Sequence, residues 1–140
     1  MEKTFIQSAT RTATISKKKY WAGGIISALA VLFLLFDSVI KLMSIGPVVE
    51  SFNQLGYPPR YVLGIGILEL FCVVVYVIPR TSVLGAVLLT GYLGGAIATH
   101  VRIGSPLFTH TLFPVYIGLL IWSGLFLRED RLRALIPLRR

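Results

Sequence analysis

Apolar residues gather along this chain in four long blocks, separated by short polar punctuation. The blocks run from Tyr20 to about Met43, from about Arg60 to Ile78, from about Val83 to His100 and from about Leu112 to Leu127. At ~1.5 Å of rise per helical residue, each covers most or all of a hydrocarbon layer ~30 Å thick. A segment apolar on every side is surrounded by lipid and by other helices, and in lipid a helix satisfies its own backbone hydrogen bonds. The stretch 44–59 (SIGPVVESFNQLGYPP) is too polar and short to span. Gly46 and Pro47 open it, Pro58 and Pro59 close it, and Val48, Val49, Phe52 and Leu55 share one face, so it predicts a short amphipathic helix on the outer surface. The link from Pro79 to Ser82 is tight enough to make the second and third spans antiparallel neighbours. Residues 101–111 form a second outer loop, and Pro114 is tolerated in the first turn of the fourth span. The expected fold is all-α: a polytopic membrane four-helix bundle with a short outer amphipathic helix between the first and second spans.

The few polar positions inside the blocks fall on faces. Ser27, Ala30, Leu34, Asp37 and Lys41 step by three and four along the first span, so this stripe faces protein rather than lipid. In the second span Gly66, Glu69, Cys72 or Val73, and Tyr76 line one face, which turns the Glu69 carboxyl into the bundle. In the third, Gly91 and Gly95 form a GxxxG pair, and Gly94 and Ala98 repeat the spacing. Small residues at this spacing predict close helix packing within the chain, with a homodimer seam as the alternative use.

Composition then fixes the setting. The chain has 140 residues, 55% hydrophobic and 14% charged, with a mean hydropathy of +0.78. Soluble domains carry roughly 25% charged residues, so this is a one-domain membrane protein. A net charge of +8 invites a nucleic-acid reading, but the basic residues sit at the ends of apolar blocks, where they set topology. No nucleic-acid partner is expected; the lipid bilayer is. Of the 14 Lys and Arg residues, only Lys41, Arg60 and Arg102 lie on the loop side opposite the termini. The positive-inside rule therefore predicts both termini in the cytoplasm. Residues 1–19 read as a flexible cytoplasmic tail, 20–128 as the membrane domain and 129–140 as a basic cytoplasmic tail. The lysines before the first block resemble a signal peptide, but the block is long, lacks a small-residue cleavage site and is followed by further spans.

Ionisable groups at membrane depth are costly and mark candidate chemistry. Glu69 lies nearest the middle of a span, with no basic residue on its own helix face, and an unpaired carboxyl in hydrocarbon costs several kcal/mol. Asp37 and Lys41 close the first span, and His100 and Arg102 close the third. Asp37, Lys41, Glu69, His100 and Arg102 thus form a candidate ligand-binding set lining one outward-facing cavity. The simpler alternative pairs Asp37 with Lys41 one turn away, leaves Arg102 to headgroups and keeps Glu69 protonated and hydrogen-bonded. A single cysteine, Cys72, excludes an internal disulfide and a Cys-based zinc site. His100 at an interface and His110 in a loop make a poor pair of haem ligands. No catalytic serine motif, nucleotide loop or metal-ligand spacing is present.

Several stretches resemble the DoxX-like family of small four-helix membrane proteins. They are GILEL around Glu69, the IPRTSVLGA turn, GYLGGAIATHVRIG, and WSGLFLRED followed by RLRALIPLR, with DSVIKL and LGYP in the first half. The resemblance covers roughly residues 20 to 138. Asp37 and Ser38 stand where relatives often carry a Ser-Gly pair. Some relatives are small subunits of quinone-linked oxidoreductases, including thiosulfate-oxidising ones, while most have no known activity. The resemblance therefore implies an accessory or quinone-binding subunit, not an enzyme on its own. No cofactor is firmly implied; a quinone is the candidate ligand and an oxidoreductase subunit the candidate partner, and the outward convergence of Asp37, Glu69, His100 and Arg102 makes Glu69 and His100 the polar contacts in an apolar pocket. A small-solute or proton transporter, and a membrane scaffold or assembly factor, are the alternatives.

Overall fold

The computed structural model describes residues 2–136, with side chains from residue 17 onward. Six α-helices follow one another: α1 (Glu2–Leu42), α2 (Gly46–Gln54), α3 (Arg60–Val77), α4 (Ser82–Arg102), α5 (Phe113–Arg128) and α6 (Asp130–Leu135). One π-helical turn, Leu107–Thr111, precedes α5. Four segments are long and apolar enough to cross a membrane: Lys17–Leu42, Arg60–Val77, Ser82–Arg102 and Leu107–Arg128. The chain is an all-α integral membrane protein, with the short α2 between the first and second spans.

α1 packs against α3 and α5, and α4 closes the ring by packing against α3 and α5 in turn. The faces are those the sequence pattern predicts. Ala30 and Leu34 of α1, Val73 and Tyr76 of α3, Ala86 and Leu89 of α4 and Ile121 and Leu125 of α5 are buried together. Ile25, Leu32, Phe36, Phe71 and Leu119 point outward and are at least half exposed. In water this girdle would be an aggregation surface, whereas in a bilayer it is the lipid contact. α2 lays Phe52 inward as its buried residue, with Val48, Val49 and Leu55 partly covered on the same side.

Two differences concern the ends of the chain. The backbone of residues 2–19, expected as a flexible tail, continues α1 as helix from Glu2. No Pro or Gly lies between Glu2 and Ala22. An established helix adds residues without paying the nucleation cost again, so a polar segment without a breaker extends it. After α5, the expected basic tail begins as α6, which buries Leu132; its last residues, 137–140, lie outside the described ones.

Tyr76 ties together the end of the bundle away from α2. Its hydroxyl donates to the Ile121 carbonyl at 3.0 Å and receives the Ser27 hydroxyl proton at 2.9 Å. Two glycines let neighbours reach it. A Cβ on Gly85 would fall on the Tyr76 backbone, and a Cβ on Gly124 would meet Ser27. Gly23 approaches α5 as closely, since a Cβ there would lie 2.6 Å from the Gly124 carbonyl oxygen. Contacts this close leave no room for a methyl group, and they set the helix spacing.

Candidate functional site

At the α2 end the packing opens. Gly66, on the buried face of α3, lets that helix come against the last turn of α1, since a Cβ there would sit 2.8 Å from the Lys41 Cβ. One turn further along the same face, Glu69 is carried to the Lys41 ammonium. Lys41 Nζ donates to Glu69 Oε2 at 2.8 Å, to Asp37 Oδ2 at 2.5 Å and to Tyr92 Oη at 2.9 Å. Tyr92 Oη in turn donates to Glu69 Oε2 at 3.0 Å. The cluster joins α1, α3 and α4 through one amine. The Glu69 side chain is wholly buried, that of Lys41 nearly so, and that of Asp37 is 31% exposed. The partner that Glu69 lacks on its own helix is therefore supplied across the bundle.

Lys41 and Tyr92 also form one wall of a pocket of about 570 Å³ between α3 and α4, capped by α2. Its other walls are mainly apolar, among them Phe52 and Leu55 from the α2 segment, Ile65 and Cys72 from α3 and Leu88 from α4. Leu68 and Val87 line the pocket too, yet each is about half exposed on the flank of its helix. That flank is the lipid-facing side, so the pocket opens sideways toward hydrocarbon.

The GxxxG face does something other than predicted. A Cβ on Gly91, Gly94 or Gly95 would meet nothing within 4 Å among the described residues. Close intrachain packing at these glycines is thus overturned. The bundle-facing side of α4 holds Ala86, Leu89 and Leu93, and Leu93 rather than a glycine rests against Gly118 of α5. That rotation turns Gly91 and Gly95 to the pocket, where their missing side chains become its volume.

Of the five candidate residues, Asp37, Lys41 and Glu69 come together, and His100 and Arg102 do not join them. His100 Nδ1 is 3.0 Å from Ser105 Oγ, and its ring meets the His110 ring edge-on with centroids 5.9 Å apart. Arg102 donates to the Leu55 carbonyl at 2.6 Å and lies over the Tyr57 ring at 5.7 Å. Both have partners in the chain's own loops, which a pattern read along single helices does not reveal. Arg102 acts as a strap, holding the end of α4 to the turn after α2. Gly56 makes that turn with φ of +80°, a left-handed conformation that glycine adopts without a Cβ clash.

Two tyrosines on the pocket wall, Tyr57 and Tyr92, carry no mark in the sequence pattern. Tyr92 supplies the third acceptor for Lys41, and its one available signal was a phenol placed in mid-span, where a hydroxyl needs a partner. Tyr57 lies under Arg102 and bonds Thr99 Oγ1 at 3.1 Å; its position in a proline-bounded loop gave no such signal. No cluster of three or more His, Cys, Asp or Glu residues suited to a metal ion is present among the described residues.

The model of the DoxX-like family matches residues 25–124. No curated protein and no solved structure matches the chain.

Proposed function

This chain belongs to the DoxX-like family, and from that premise we propose that it is a quinone-binding accessory subunit of a membrane oxidoreductase system. The observation that carries the reading is the apolar pocket with one polar wall, open toward lipid. Its volume of about 570 Å³ falls within the range of small-molecule sites, and such sites combine apolar walls with a few fixed polar groups. A quinone is a flat ring with oxygen atoms on an otherwise apolar body and a hydrocarbon tail. In this reading the ring lies among Phe52, Leu88 and Gly91, the oxygens approach the Lys41–Tyr92 wall, and the tail leaves past Leu68 and Val87. Asp37 and Glu69 hold the Lys41 amine in place and need not touch the ligand. Arg102 acts at one remove, by holding the end of α4 to the turn after α2, and His100 by bracing the loop that follows α4.

The chain supplies no electron carrier of its own in this role, so a partner subunit in the same membrane delivers or removes the electrons. We assign the protein to a bacterial inner membrane, and the distribution of Lys and Arg supports an orientation with both termini cytoplasmic. A small-solute or proton transporter is the second reading, favoured by a charged cluster at membrane depth. An azido-quinone with a decyl tail, photolysed with the purified chain in lipid nanodiscs, tests the first. Labelling on the α3 or α4 peptides that line the pocket, suppressed by excess unlabelled quinone, is the expected result. Labelling confined to other peptides, or insensitive to competitor, would sink it; proton or solute flux in liposomes carrying the chain alone would favour the transporter.

A further inference from the structure

The hydrogen-bond inventory of the pocket is lopsided. The Lys41 ammonium has three protons, and the chain's own acceptors take all of them, on Asp37, Glu69 and Tyr92. The Tyr92 hydroxyl proton goes to Glu69 Oε2. At the other polar patch, Thr99 donates its proton to the Gly95 carbonyl at 2.9 Å. The Tyr57 hydroxyl is therefore the donor in its bond to Thr99 Oγ1. Every hydroxyl and ammonium proton on the pocket wall is thus committed within the chain, and the thiol of Cys72 is only a weak donor.

Acceptors, by contrast, are left over. Glu69 Oε1 belongs to a side chain with no exposure and finds no hydrogen-bond partner among the described residues. It lies behind Tyr92 and Lys41, on the same carboxylate whose other oxygen receives both of their protons. The hydroxyl oxygens of Tyr92 and Tyr57 each keep a lone pair as well. A buried acceptor without a donor is costly, and a ligand that brings a proton to it relieves that cost.

Resting on the quinone-pocket reading above, we infer that the site selects the reduced, hydroxyl-bearing form of its ligand, a hydroquinone, over the oxidised dicarbonyl form. A quinone offers two acceptors to a wall that has no strong donor to spare. A hydroquinone has the same ring and tail and offers two O–H donors to a wall of acceptors. One ligand hydroxyl donates to the free lone pair of Tyr92 Oη, which takes a Lys41 proton and passes its own to the Glu69 carboxylate, and a second donates to Tyr57 Oη. Two such bonds, at about 1 kcal/mol each, support about tenfold tighter binding or more. For a two-electron couple a tenfold preference raises the midpoint potential of the bound ligand by about 30 mV. The subunit would then hold hydroquinone in the membrane and present it to a partner that oxidises it, or draw off the product of a partner that reduces quinone.

The only cysteine of the chain, Cys72, lines the pocket and provides the readout. The full chain in lipid nanodiscs is titrated with a decyl-tailed, fully substituted benzoquinone or with its hydroquinone kept reduced under argon. Fractional protection of Cys72 from N-ethylmaleimide gives an apparent Kd for each. The hydroquinone is expected to bind at least tenfold tighter. Glu69→Gln, which replaces the orphaned acceptor with an amide able to donate, is expected to bring the ratio to about one or reverse it. Tyr57→Phe, away from the ion cluster, is expected to narrow the ratio without affecting assembly. Equal affinity in the unaltered chain, or tighter binding of the oxidised form, overturns the preference while leaving the pocket reading intact. Saturable protection by neither form overturns the pocket reading and the preference with it. The comparison in the unaltered chain requires no variant to fold.

Discussion

The two ends of the bundle use glycine in opposite ways. Around Tyr76, Gly23, Gly85 and Gly124 are pressed against neighbouring backbone, and a single added carbon would collide. Around Tyr92, Gly91 and Gly95 touch no neighbouring helix, and their missing side chains make room for a pocket. Glycine removes a side chain in both places, and what fills the space depends on which way the helix is turned. At the open end stands the Lys41 cluster, which ties α4 to α1 and α3 through Tyr92 where close backbone packing is absent. One end is held by contact and the other by charge and hydrogen bonds, so the same kind of substitution should have different costs at each.

The largest effect is expected from removing the charge at the open end. Lys41→Met leaves the Glu69 carboxylate buried without its main donor, and breaking a buried pair costs about 3–5 kcal/mol. Unfolding in mixed micelles titrated with SDS should register this loss. Adding Glu69→Leu to the same chain should recover much of it, because the uncompensated group is then gone; no recovery would show that Lys41 supports the bundle in some other way. Next comes Gly85→Ala at the tight end. The new methyl meets the Tyr76 backbone, which has no rotamer to adjust, and overpacking of this kind costs about 1–3 kcal/mol or more. A lower midpoint in the same titration, on the order of 3 kcal/mol, is the expected outcome; a neutral result would erase the difference between the two ends.

Gly91→Leu separates binding from stability. Filling the pocket from the α4 wall should weaken capture of the decyl quinone at least tenfold, about 1.4 kcal/mol, with the unfolding midpoint unchanged. Photolabelling competition and SDS titration on one preparation measure both. Tyr76→Phe removes one hydroxyl from two buried bonds and should cost about 1 kcal/mol, in line with the usual net value of a hydrogen bond. The smallest change is expected for Gly95→Ala. It adds a methyl group where nothing stands within 4 Å, so it should be neutral or raise stability by up to ~1 kcal/mol through helix propensity. A clear loss there would mean that a second helix, from another copy or a partner, occupies that face in the membrane.

Much of this architecture was legible in residue order. Hydropathy accumulates locally, so four apolar blocks determine four spans wherever the helices then go. The stripe from Ser27 to Lys41 and the face from Gly66 to Tyr76 follow from 3.6 residues per turn, and both are buried as that period requires, apart from the partly exposed Asp37. The amphipathic α2 was equally plain, because two proline-bounded turns isolate it and Phe52 falls on its apolar side.

Tertiary structure alone decided which faces meet. Helical period says that Gly91 and Gly95 share a side, but the packing of Leu89 and Leu93 turned that side to the pocket. Depth brought His100 and Arg102 to the same end of the bundle as Asp37, and loop contacts then drew them to Ser105 and Leu55. Glu69 announced in the sequence that it needed a partner. That Lys41 and Tyr92 answer it, from helices 28 and 23 residues away in the chain, depends on how near three helices approach. That distance is set by side chains and missing side chains on all of them at once, which no single segment encodes.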